Sequence, residues 1–280
     1  MTDDSTPVTA PDGNLPNLYA PPAGVRWGLW EVAMGLVVFL TLLAGVTVIG
    51  IATPLRDAVG GNLELVGFIS AIVAYGGLLT VMVVASRRIG LRSLAADFGL
   101  RFRPVDLAIG LGIGIVSRIF TLLLTLLVVS TAGMAPSRGN FVLSTDPLWI
   151  ILNGVVIAVV VAPVIEELFF RGLILRAVRN RVLRSRNRDQ PADAQTQRRA
   201  VILSITISSV AFMGLHMYQA IGEPTLAVIL GGSTLFVGVL NAIVALRTGR
   251  LGAAIIGHMV FNGSAILLGL LAMPAAPCAC

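Results

Sequence analysis

The chain of 280 residues is 56% hydrophobic and only 12% charged, with a mean hydropathy of +0.91. With apolar runs longer than about 18 residues, that composition excludes a large soluble core and implies one all-α, polytopic integral membrane domain. All 20 basic residues are arginine and most lie between apolar runs, so the net charge of +6 reads as membrane topology and not as a nucleic-acid footprint.

Residues 1–25 hold Asp3, Asp4, Asp12 and five prolines, a composition unable to bury enough surface to order itself. They read as a disordered cytosolic tail. A basic n-region is absent, so the tail is not a signal peptide. The membrane domain follows over 26–274, and 275–280 is a short C-terminal tail ending in Cys278-Ala-Cys280, too closely spaced for an ordinary disulfide and unlike a prenylation box.

The first apolar run, about 27–52, carries Trp27 and Trp30 as expected interfacial anchors. Further runs at roughly 63–86, 105–132, 148–176, 200–219, 225–246 and 250–272 make seven spans. Arg87, Arg88, Arg92, Arg101 and Arg103 fall between spans 2 and 3, eight more arginines from Arg176 to Arg199 fall between spans 4 and 5, and Arg247 and Arg250 follow span 6. The other loops carry only Arg56 and Arg138. A cytoplasmic N-terminus satisfies the positive-inside rule at every crossing. The polar stretch 181–199 reads as a solvated loop touching lipid headgroups. The Asp97-Phe-Gly-Leu-Arg-Phe-Arg103 stretch lies at the inner interface with no chemistry assigned.

One stretch breaks the apolar pattern: Val164-Ile-Glu-Glu-Leu-Phe-Phe-Arg171 puts two carboxylates and an arginine inside a helix expected from about Pro147 to about Arg176. Each such group costs roughly 2.5 to 3.5 kcal/mol at the centre of an inserted helix, which makes the stretch a functional-site hypothesis. Glu167 and Arg171, at i and i+4, share a face and pair, which lessens the cost of burying both. Glu166 points about 100° away, without a partner on its own helix, and suits a general base.

The chain's two histidines, His216 and His258, both lie inside apolar spans, and His258 shares a face with Asn262 four residues on. A lone intramembrane histidine is more often a hydrogen-bonding glue between helices. Two imidazoles with a spare glutamate and an amide are instead the inventory for holding a water or metal-bound hydroxide against a carbonyl. Counted at 1.5 Å per residue, Glu166 and His258 lie on the order of 12 Å from the basic ends of their spans, and His216 roughly 25 Å, a mismatch that helix tilt must close. Arg118, in mid-span 3 beside Ser117, is expected to pair with a buried acid such as Glu31 or a motif glutamate, or else to grip a substrate carboxylate. Trp149, Tyr75 and Tyr218 read as interfacial aromatics without special duty.

Glu-Glu-x-x-x-Arg, Phe-x-x-x-His and His-x-x-x-Asn, each in its own span and in that order, resemble the CPBP family, also called the Abi or type II CAAX prenyl endopeptidase family. The likeness covers about residues 148–265, including the Gly-rich run from Phe236 to Gly249; spans 1 to 3 match only in hydropathy. It implies an intramembrane (metallo)endopeptidase hydrolysing a peptide bond of a membrane-associated protein or peptide. In that reading Glu166 activates water with His216, His258 and Asn262 hold the oxyanion or share in metal binding, and Glu167 and Arg171 orient the motif helix. Zinc is left open: Glu166, His216 and His258 form a three-ligand set with a free fourth position, and a metal-free glutamate-and-water mechanism uses the same residues. The lysine-free composition suggests a bacterial plasma membrane, with the site opening to the cytoplasm. The implied partners are a membrane-associated peptide and the bilayer, with no nucleic acid. A non-catalytic immunity or scaffolding protein of the same family is the alternative, and a proton relay a third, against which stands the lack of a repeated pair of broken helices.

Overall fold

A computed structural model describes residues 25–52, 61–133, 144–184 and 192–272. The tails expected over 1–25 and 275–280, with Arg56 and Arg138, fall almost wholly outside the described residues. All regular structure within them is helical: α1 (Leu29–Ala52), α2 (Leu63–Ile89), a short α3 (Leu94–Phe98), α4 (Pro104–Ala132), α5 (Pro147–Arg184), α6 (Ala194–His216, with a 3-10 turn Met217–Ala220), α7 (Pro224–Thr248) and α8 (Gly252–Leu271). All but α3 are long and apolar enough to cross a membrane. Their outer faces carry rows of exposed aliphatics, among them Val37, Leu40 and Val48 on α1 and Leu123, Leu126 and Leu127 on α4, as lipid contact requires.

Helix starts follow local chemistry. Asn62 caps α2 by accepting Leu65 N–H, Asp193 caps α6 by accepting Thr196 N–H, and prolines open α4, α5 and α7, where a missing N–H is harmless. α1 begins differently. Trp27, expected at the interface, is fully buried: its indole N–H donates to Asp97 at 2.9 Å and its ring lies against Phe98. Asp97 also accepts from Ser86 and from Leu91 N–H, so one buried carboxylate joins the start of α1, the end of α2 and α3. Trp30 is exposed, as an anchor should be.

α4 and α8 pack through small residues. A Cβ at Gly110 would come 2.8 Å from the Ala253 carbonyl oxygen, and one at Gly114 would come 2.9 Å from that of Gly257. This is the close backbone approach by which membrane helices associate without a hydrophobic drive. Arg118, one turn on, meets no acid among the described residues. It donates to the Phe261 carbonyl and to Ser264 and lies 4.5 Å over the Phe261 ring, a cation–π contact replacing the expected pairing with Glu31, which itself accepts Gly28 N–H.

α5 is the central post, buried on every side from Ile165 to Leu175. It is longer than expected, reaching Arg184, whose guanidinium donates to Val25 C=O. It is also not one α-helix: Ile150–Val161 and Leu168–Ile174 are π-helical, and only Ala162–Glu167 between them is α. Such wide turns accumulate at functional sites. Here they bracket the two glutamates.

Candidate active site

Glu167 is the hub. Its Oε1 accepts from Arg171 Nη1 at 2.9 Å, Asn241 Nδ2 at 3.0 Å and His258 Nδ1 at 3.0 Å, drawing α5, α7 and α8 together. All four residues are buried, so each charge or dipole needs these partners. Arg171 further donates to Gly238 C=O and lies 4.5 Å over the Phe212 ring. The pairing expected between Glu167 and Arg171 is therefore present, on a π-helical turn.

Glu166, on the neighbouring face, is held by Tyr75, whose hydroxyl donates to Oε1 at 2.5 Å. Its Oε2 stands 3.8 Å from His258 Nε2. That gap is too wide for a hydrogen bond and suited to a bridging water. Because the ion-paired Glu167 only accepts, His258 Nδ1 carries a proton and Nε2 presents a lone pair when the ring is neutral. Two adjacent carboxylates thus address the two nitrogens of one imidazole.

His216 is placed differently. Ser208 donates to Phe170 C=O, which sets the height of α6 against α5, and Phe212, a turn higher, meets Arg171 and the edge of His258. His216 lies one turn beyond Phe212, about 6 Å along the axis. Its ring packs 4.5 Å from Phe212, and its Nδ1 bonds the Phe212 carbonyl at 2.8 Å. His258, not His216, is the imidazole beside Glu166.

Asn262 donates to Ala158 C=O at 2.8 Å. The physical reason lies in Pro163. In a π-helical ladder Ala158 C=O would receive the N–H five residues on, just as Ile157 receives that of Ala162, but Pro163 has none. The Asn262 amide fills the vacancy and ties α8 to the turn before the glutamates.

Among the described residues, no three His, Cys, Asp or Glu side chains gather closely enough to hold a metal ion. Of the expected set of Glu166, His216 and His258, the structure puts Glu166 Oε2 3.8 Å from His258 Nε2, while His216 Nδ1 is bonded to the Phe212 carbonyl. No step below runs through a metal.

Two site residues escaped the sequence reading. Tyr75 lies twelve residues into a 27-residue helix, about 18 Å from its start, too deep for an interfacial ring. Asn241, fully buried in mid-α7, is an amide at a depth where polar groups are rare and therefore informative. Trp149 is also buried, near Phe68, while Tyr218 is half exposed at the far end of α6.

No curated protein and no solved structure matches the chain. A family model does, over residues 147–264: the type II CAAX prenyl endopeptidase family, Rce1-like. The matched segment begins at the first turn of α5, ends two residues past Asn262, and contains Glu166, Glu167, Arg171, His216, Asn241 and His258. Through this segment, in a chain with seven helices long and apolar enough to cross a membrane, the protein is similar to the Rce1-like type II CAAX prenyl endopeptidases.

Proposed function

We propose that the protein is an intramembrane endopeptidase that hydrolyses a peptide bond of a membrane-associated protein or peptide, using a water held between Glu166 Oε2 and His258 Nε2. The observation that carries this reading is the pair of carboxylates on one imidazole: Glu167 fixes the tautomer, and Glu166 faces the nitrogen left as acceptor. A water donating to both acceptors directs its own lone pair outward, at a scissile carbonyl.

Glu166 takes the water's proton as the oxygen attacks and returns it to the leaving amine; Tyr75 holds its carboxylate in one rotamer. Asn262 keeps one amide hydrogen beyond the one given to Ala158, and we assign it to the developing oxyanion. His216 donates through Nδ1 to a carbonyl, so its Nε2 is an acceptor in the neutral ring. It serves as an auxiliary base on the substrate side of Phe212. Glu167 and Arg171 are positioning residues. The positive-inside pattern supports an arginine-rich end facing the cytoplasm, with access to the site from that side.

Comparative proteomics of membrane-protein termini tests the reading in cells. Cells carrying the wild-type chain should yield new C-termini that are missing when Glu166→Gln replaces it. Identical termini in both would remove the proposal.

A further inference from the structure

At the arginine-rich end, the connection before α4 and the connection between α7 and α8 are joined through their backbones: Leu251 N–H donates to Gly99 C=O at 2.9 Å and Gly252 N–H to Arg101 C=O at 3.2 Å. Asp106 completes the rim. Its Oδ1 accepts Arg250 Nη2 at 2.6 Å, while Oδ2 accepts Arg250 Nε at 3.2 Å and Arg103 N–H at 2.8 Å. Beside this rim is an open hollow of about 450 Å³ lined by Arg101, Phe102, Arg103, Thr248 and Arg250. None of these residues belongs to the Glu166 site.

Three arginines line the hollow beside one carboxylate, that of Asp106, whose two oxygens are already engaged. Arg101 and Arg103 are exposed and form no salt bridge to a carboxylate among the described residues. The N-termini of two long helices, α4 and α8, also end here and add positive potential. Arginines serving topology alone need no fixed cavity; here a stitched backbone holds them around one. Guanidinium groups in this arrangement match phosphate oxygens, and a hollow of this volume falls in the range of ligand sites. On its flank, Phe102 is exposed and apolar.

We propose that this hollow binds the phosphate of an anionic phospholipid, the headgroup among Arg101, Arg103 and Arg250 and an acyl chain against Phe102. The apolar flank favours a lipid over a free phosphate ester, because only the lipid gains a second contact there.

The test uses the full purified chain in detergent, with lipid retention read by native mass spectrometry and folding checked by thermal unfolding. The probes are phosphatidylglycerol, phosphatidylcholine and glycerol phosphate. Phosphatidylglycerol should be retained about tenfold more strongly than phosphatidylcholine, equivalent to about 1.4 kcal/mol. The double variant Arg101→Gln/Arg103→Gln should lose that preference, whereas Arg87→Gln/Arg88→Gln, exposed at the same end but outside the hollow, should keep it. Equal retention of the two lipids, or equal loss in both double variants, overturns the site. Displacement of phosphatidylglycerol by glycerol phosphate overturns the lipid assignment in favour of a free phosphate ester.

Discussion

Glu167 shows how one side chain sets the chemistry of another. Three donors converge on its Oε1, and one of them is the ring nitrogen that decides which face of His258 stays basic. Glu167→Ala should therefore destabilise the fold by about 3 to 5 kcal/mol, because Arg171 would be left buried and unpaired, and thermal unfolding in detergent reads that loss. Tyr75→Phe should act on rate alone. It removes one hydrogen bond to Glu166, and kcat should fall about tenfold with KM little changed, a split visible in steady-state hydrolysis. Asn262→Ala should show both effects: about 1 to 3 kcal/mol of stability, since Ala158 C=O loses its donor beside Pro163, and about 100-fold or more in kcat if its second hydrogen meets the oxyanion. Unchanged unfolding in Asn262→Ala would show that Ala158 finds another donor.

The helices display what the sequence makes legible and what it hides. Seven apolar runs and the Gly, Pro and Arg punctuation between them identify the spans to within about three residues, except that α5 runs on to Arg184 and α6 starts at Ala194, since a membrane demands that length and that lining. The winding of α5 is another matter. Hydrophobic periodicity carries little phase where a helix is apolar all round, as Ile150–Val161 and Leu168–Ile174 nearly are, so the π-helical stretches on either side of Glu166 and Glu167 left no pattern to read. Pro163 was the available signal, because a proline inside a helix leaves a carbonyl in need of a donor. Trp27 misled for a related reason. An aromatic at a span's edge usually floats at the interface, but Asp97, seventy residues later, offered it an acceptor. At this scale Gly114→Val is the sharpest probe. Its side chain meets Val260 and the Gly257 carbonyl, so α4 and α8 should separate at a cost of about 1 to 3 kcal/mol, whereas Gly112→Val, with nothing within 4 Å, should leave unfolding unchanged.

Across the whole molecule, the site is assembled from α2, α5, α6, α7 and α8, and no two of its key contacts come from neighbours in sequence apart from the Glu167–Arg171 pair. Motif order therefore revealed which residues belong together, while the pairing of Glu166 with His258, and the roles of Tyr75 and Asn241, depended on packing. Seven helices long and apolar enough to cross imply that the start of α1 and the end of α8 lie on opposite sides of a membrane. Reporter fusions should find the N-terminus with the arginine-rich loops in the cytoplasm and the C-terminus outside; both termini on one side would mean that a span is misassigned. The central claim is the shared water between α5 and α8, and the kinetics of a double variant in purified, folded protein test it most directly. Glu166→Gln and His258→Ala should each slow peptide hydrolysis by about 100-fold or more, and their combination should be no slower than the worse single change, because both act on one water. Wild-type turnover in either single variant, or losses that multiply in the double, would contradict it.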